Sequence, residues 1–210
     1  MNLINIVLKG GILVYILFIL SIIAVAVFIE RYITIKRLRI NTRAFMNKLK
    51  LLILNNDIDS AIAICESTNS PVSIVLKGII KKRNLEYNEI KDFIETESQL
   101  QLFKLEKHMN ILGTIAAASP LIGFLGTVTG MIKTFMAIQT NAGNVNPEIL
   151  AGGIWEALVT TAVGLSIGIP VLIAYNYLVG KIDIFVFEIQ QSSKEILELL
   201  KNQDVKNEIE

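Results

Sequence analysis

Residues 111–132 read ILGTIAAASPLIGFLGTVTGMI, 22 residues without a charged side chain, bounded by Asn110 and Lys133. As a helix rising about 1.5 Å per residue, this run extends roughly 33 Å, enough to cross a hydrocarbon core of about 30 Å. In lipid only a helix or a closed barrel satisfies its own backbone. Two more runs share the property: residues 10–29 (20 residues) and 157–180 (24 residues). The composition agrees, with 52% hydrophobic residues, 19% charged residues and a mean hydropathy of +0.55, against about a quarter charged in ordinary soluble domains. The fold class that follows is an all-α integral membrane protein with three transmembrane helices, the second and third extended into a cytoplasmic helical bundle.

The first run has a rival reading. Lys9, an apolar stretch and Ala24-Val25-Ala26 together have the form of a cleavable signal peptide. Its flanks favour a retained span: Arg31, Lys36, Arg37, Arg39, Arg43, Lys48 and Lys50 follow it, whereas Lys9 alone precedes it. By the positive-inside rule the N-terminus is then outside. The predicted organisation is an outer N-terminus (1–9), span one (10–29), a cytoplasmic helical region (30–110), span two (111–136), an outer loop with the start of helix three (137–156), span three (157–180) and a cytoplasmic helix and tail (181–210). It places 18 of the 20 Lys and Arg inside.

Within residues 30–110, Asn55-Asn56-Asp57 offers cap chemistry ahead of a helix at 58–66, and Ser70-Pro71 supplies an N-cap and first-turn proline ahead of one at 72–83. From Tyr87 there is no Pro or Gly until Gly113, which predicts one helix running into span two. After span three, Ile182, Phe185, Ile189, Ile196, Leu197 and Leu200 form an apolar stripe suited to a bundle. Asn146-Pro147-Glu148 is a start signal for helix three.

The 20 Lys and Arg nearly cancel the 19 Asp and Glu, so nothing suggests a nucleic-acid partner. One cysteine and one histidine exclude a disulfide framework and a metal site with ligand spacing. No cofactor is expected. No nucleophile and base can be paired, so an enzyme is not expected either.

Spans two and three differ from the aliphatic first. Pro120, Gly123, Thr127, Gly130 and Thr134 fall within about 80° of one another on a helical wheel, and Thr161, Gly164, Gly168 and Tyr175 cluster likewise. Gly126/Gly130 and Gly164/Gly168 have GxxxG spacing, which suits close helix packing. Hydroxyls can line a watered route for protons or small cations, or can bond their own i−4 carbonyls. Glu156 admits two placements: in the headgroup region at a helix N-terminus, or, on a helix begun near Pro147, facing the bundle interior with Thr160 about 40° away. The candidate route is thus Thr127, Thr161, Glu156, Thr160 and Thr134, with Pro120, Gly123, Gly126, Gly130, Gly164 and Gly168 packing the helices. Neither run holds an Asp, Glu, His, Lys or Arg. A proton crossing here needs a carboxylate from another polypeptide.

The runs PLIGFLGTVTGMI (120–132) and GIWEALVTTAVGL (153–165), in that order on these two spans, resemble the ExbB/TolQ/MotA proton-channel family. Three spans rather than four are similar to its ExbB/TolQ branch. The resemblance implies a homopentamer whose second and third helices ring a pore. It further implies an ExbD- or TolR-like single-span subunit supplying a membrane aspartate, a TonB- or TolA-like periplasm-spanning partner, and a place in a bacterial inner membrane. Thr127 and Thr161 match the family's pore threonines, and Glu156 its glutamate at the head of span three. The short N-terminus departs from many ExbB proteins, so the choice between ExbB and TolQ roles stays open. The other reading is a non-conducting scaffold that assembles single-span partners.

Overall fold

The computed structural model describes residues 11–140 and 147–209, with side chains described at 11–140 and 150–201. Among the described residues there are seven helices and no strand: α1 Gly11–Leu38, α2 Thr42–Leu54, α3 Ile58–Ser67, α4 Pro71–Lys81, α5 Tyr87–Leu105, α6 Met109–Thr140 and α7 Pro147–Ile209. Helices α1, α6 and α7 are each long and apolar enough to cross a membrane. The chain is an all-α membrane protein. Lys9 and Asn144 to Asn146 fall outside the described residues; α7 opens on Pro147, whose missing N–H is one that a first helical turn leaves unpaired in any case.

The chain divides into two compact units, one built from 11–31 and 108–178 and the other from 32–107 and 179–209. In the second unit, Val72, Val75, Leu76, Ile79 and Ile80 recur at i, i+3, i+4, i+7 and i+8 and give α4 one fully buried face. Met46, Leu49 and Ile53 of α2, Ala61 and Cys65 of α3, Ile90 of α5, and Ile189, Ile196 and Leu200 of α7 complete this core. Each large side chain withdrawn from water contributes about 1.5–3 kcal/mol. The Phe93 ring lies against Gly78, where a Cβ would collide with it. Around the core, Thr42 donates to Glu188 (2.8 Å) and Lys50 pairs with Glu195.

The starts of these helices follow the turn chemistry. The Asp57 carboxylate accepts from the Ser60 N–H at 3.1 Å, and the Asn41 side chain accepts from the Ala44 N–H at 3.1 Å. The Ser73 hydroxyl accepts from the Ser70 N–H at 3.3 Å, behind Pro71. The unbroken helix expected from Tyr87 into span two is not formed. Helix α5 ends at Leu105 and α6 begins at Met109, because His108 takes φ +65°. Histidine is among the few side chains that visit this left-handed region readily. Its Nδ1 lies 3.2 Å from Glu30 Oε2 on α1.

Candidate functional site

In the first unit, α6 and α7 meet along a seam of small residues. Ideal Cβ positions measure how closely the two backbones approach. A Cβ on Gly164 would stand 2.6 Å from the Ser119 carbonyl oxygen and 2.9 Å from the Gly123 Cα; one on Gly123 would stand 3.1 Å from the Thr161 Cα. Farther along, the Pro120 ring covers Gly168 at 2.7 Å, and Ala157 covers Gly130 at 2.9 Å. Two contacts are reciprocal. Thr160 of α7 fills the place of a Cβ on Gly126, and Thr134 of α6 fills that on Gly153. Glycine is needed here because only a missing Cβ lets the helices come this close.

The hydroxyls divide by their acceptors. Thr161 Oγ1 donates across the seam to the Gly123 carbonyl at 2.8 Å, with its own-helix Ala157 carbonyl at 3.4 Å. Thr127 is partly exposed and donates to the Phe124 carbonyl of its own helix at 2.6 Å. Thr134 and Thr160 are buried, and they donate to the Gly130 carbonyl (2.9 Å) and the Glu156 carbonyl (2.7 Å). A hydroxyl that has spent its one proton in this way retains lone pairs that accept from water or from a protonated acid. Thr161 is half-buried at the seam edge, where it ties α7 to α6.

Glu156 lies on α7, well inside the helix begun at Pro147, and its side chain is 30% exposed. Its Oε1 accepts from the Lys133 ammonium of α6 at 3.1 Å. The seam therefore unites Pro120, Gly123, Gly126, Gly130, Gly164 and Gly168 with Thr134, Thr160 and Thr161. Thr127 lies beside the seam with its hydroxyl turned to its own helix. Sequence reasoning had not singled out Lys133, Gly153, Ala157 or Ser119. The signal for Lys133 was present in its position as the first charge after the 111–132 run. Gly153 has no GxxxG partner and pairs instead with a threonine on the opposite helix.

Among the described residues no group of three or more His, Cys, Asp or Glu side chains could hold a metal ion. The chemistry available to the site is hydrogen bonding and one ion pair.

Residues 67–191 match the model of the MotA/TolQ/ExbB proton channel family. This stretch runs from the end of α3 into α7 and contains both sequence motifs and the whole seam. The chain is 26% identical over 176 residues to a biopolymer transport protein ExbB homolog of Methanothermobacter thermautotrophicus, covering 83% of this chain and 62% of that protein. It is 39% identical over 104 residues to the Tol-Pal system protein TolQ of Haemophilus influenzae, covering 50% of this chain and 40% of the relative. To the biopolymer transport protein ExbB of Aquifex aeolicus it is 38% identical over 106 residues, covering 50% and 69%. The matched region thus spans well under two thirds of the TolQ relative and slightly under two thirds of the archaeal one. A match over more than half the chain, carried by the motifs that build the α6–α7 seam, makes this chain a member of the MotA/TolQ/ExbB proton channel family.

Proposed function

We propose that this chain is the channel subunit of an inner-membrane motor of the ExbB/TolQ type, driven by the proton-motive force. Five copies enclose a pore lined by α6 and α7. A single-span ExbD- or TolR-like subunit inside the pore brings the membrane aspartate, and a TonB- or TolA-like protein carries the movement across the periplasm. The subunit itself makes and breaks no covalent bonds.

One observation carries the reading: neither uncharged run on α6 and α7 holds a titratable side chain of the kind that relays protons, yet the Thr161 hydroxyl sits partly exposed where these helices meet. A proton that enters must be held by a group this chain lacks. Because Thr161 and Thr127 spend their own protons on backbone carbonyls, their oxygens face any visiting acid as acceptors. They favour the protonated form of a partner aspartate and bind the water that delivers the proton. Thr134 and Thr160 hold the seam, and Glu156 shapes the outer mouth.

The test replaces Thr127 and Thr161 with Val. Loss of one hydrogen bond of about 0.5–1.5 kcal/mol at each of the two positions, about 1–3 kcal/mol together, predicts a roughly five- to hundredfold fall in proton-dependent activity, with assembly retained. Thr161→Ser keeps the hydroxyl and is expected to keep activity. Wild-type activity in the double valine variant would sink the proposal. The back-bonded hydroxyls favour the scaffold as a second reading, since packing alone explains them. A stable oligomer that co-purifies with no single-span, aspartate-bearing protein, and whose activity ignores the proton-motive force, would support the scaffold.

A further inference from the structure

Lys133 is the first charge after the 111–132 run, and Glu156 is the last charge before the 157–180 run. On helices α6 and α7 these two ends come together, with Nζ 3.1 Å from Oε1. The same Oε1 lies against α1: a Cβ on Gly11 would stand 2.6 Å from it, at a residue whose φ of +69° already suits glycine. One carboxylate thus touches all three membrane helices. In α6 and in α7 from Leu150 to Leu178, Glu156 is the sole carboxylate and Lys133 the sole cation.

Stability does not account for the lysine. Its side chain is 66% exposed, and exposed ion pairs contribute about 0–1 kcal/mol. Its effect on charge is larger in consequence. Rings of carboxylates at a pore mouth concentrate cations and make cation channels. If several copies surround a pore, an unpaired Glu156 from each would form such a ring. With Lys133 attached, each copy contributes a neutral pair instead.

We propose that Lys133 is a selectivity-determining residue. By holding Glu156, it withholds from hydrated Na⁺ and K⁺ the carboxylate at this end of the spans, so the route admits protons that move along water and hydroxyls. The consequence for transport rests on the channel reading; the binding test below does not.

Purified protein in lipid nanodiscs is melted in NaCl and, at equal ionic strength, in choline chloride. Wild type and Lys133→Arg are expected to melt alike in the two salts. Lys133→Gln frees the carboxylate, and a Na⁺-specific rise of about 3 °C is expected once sodium exceeds its dissociation constant roughly tenfold. The rise disappears in Lys133→Gln/Glu156→Gln, which lacks this carboxylate, and in the charge-swapped K133E/E156K, which rebuilds the pair. No Na⁺-specific rise in Lys133→Gln, or the same rise in the doubly neutral variant, overturns the proposal. A second measurement uses proteoliposomes containing the complex with its single-span subunit, where Lys133→Gln is expected to admit sodium at least about tenfold faster than wild type. Proton uptake by wild type with no sodium gain in Lys133→Gln overturns the role of Lys133 alone. Absent proton uptake by wild type overturns the channel reading, and the melting result then decides the binding claim by itself.

Discussion

A Cβ added at Gly152 meets nothing within 4 Å, whereas one added at the adjacent Gly153 would run into the Thr134 hydroxyl. That difference makes the glycines separable by experiment. Gly152→Ala and Gly180→Ala are expected to be neutral or to stabilise by up to about 1 kcal/mol, the ordinary gain of alanine over glycine in a helix. Gly164→Ala is expected to destabilise by about 1–3 kcal/mol, because the obstructing atoms belong to the Ser119 and Gly123 backbones and cannot rotate away. Melting in detergent checks the order; equal effects at Gly152 and Gly164 would refute the seam. The sequence periodicity located the stripe of small residues on each helix but could not pair the stripes. Reading Gly126 as a packing residue did not reveal that Thr160 is what it packs against. A wheel reports which side chains share a face, and only the partner helix reports what that face touches.

At the scale of the element, helix starts were legible and one helix break was not. Asp57 and Ser70-Pro71 announced α3 and α4 because cap hydrogen bonds and a proline ring act within a few residues. The break at 106–108 contains neither Gly nor Pro, so no local rule marks it. Its partner is Glu30, 78 positions away in sequence. The energetics of His108 follow from two terms. A left-handed conformation costs a non-glycine residue about 1–2 kcal/mol, and the half-exposed contact with Glu30 returns about 0–1 kcal/mol. His108→Gly loses the contact and relieves the strain, so its stability is expected to match wild type or exceed it by about 1 kcal/mol. His108→Ala loses the contact and keeps the strain, so it is expected to melt below wild type. The reverse order would mean that the break is not set by His108. By the same local reasoning, Asp57→Ala is expected to cost about 1 kcal/mol through loss of the bond to the Ser60 N–H.

For the whole molecule, the charge distribution gives a predicted orientation, and the single cysteine makes it simple to test. Cys65 is buried in the core of the second unit, and that burial pushes its thiol up to about 12. Alkylation needs the thiolate, so at pH 8 the folded protein reacts about a thousandfold more slowly than a thiol of ordinary pKa. Linkage has a definite sign here. The unfolded thiol ionises near 9 and the folded one near 12, so between these values the unfolded state releases the proton first and the unit loses stability as pH rises. Below pH 9 Cys65 stays protonated and silent, and a cysteine introduced elsewhere reports alone. Thr140 is exposed at the end of α6, and Asn84 is exposed between α4 and α5. The positive-inside rule predicts the N-terminus outside, an orientation that puts 18 of the 20 Lys and Arg inside; Thr140 is then expected in the periplasm and Asn84 in the cytoplasm. A membrane-impermeant maleimide added to spheroplasts near neutral pH is expected to label Thr140→Cys at once. Asn84→Cys is expected to react only after the membrane is permeabilised. Immediate labelling of Asn84→Cys with a silent Thr140→Cys would invert the topology and, with it, place the Lys133–Glu156 pair at the cytoplasmic rather than the outer end of the route.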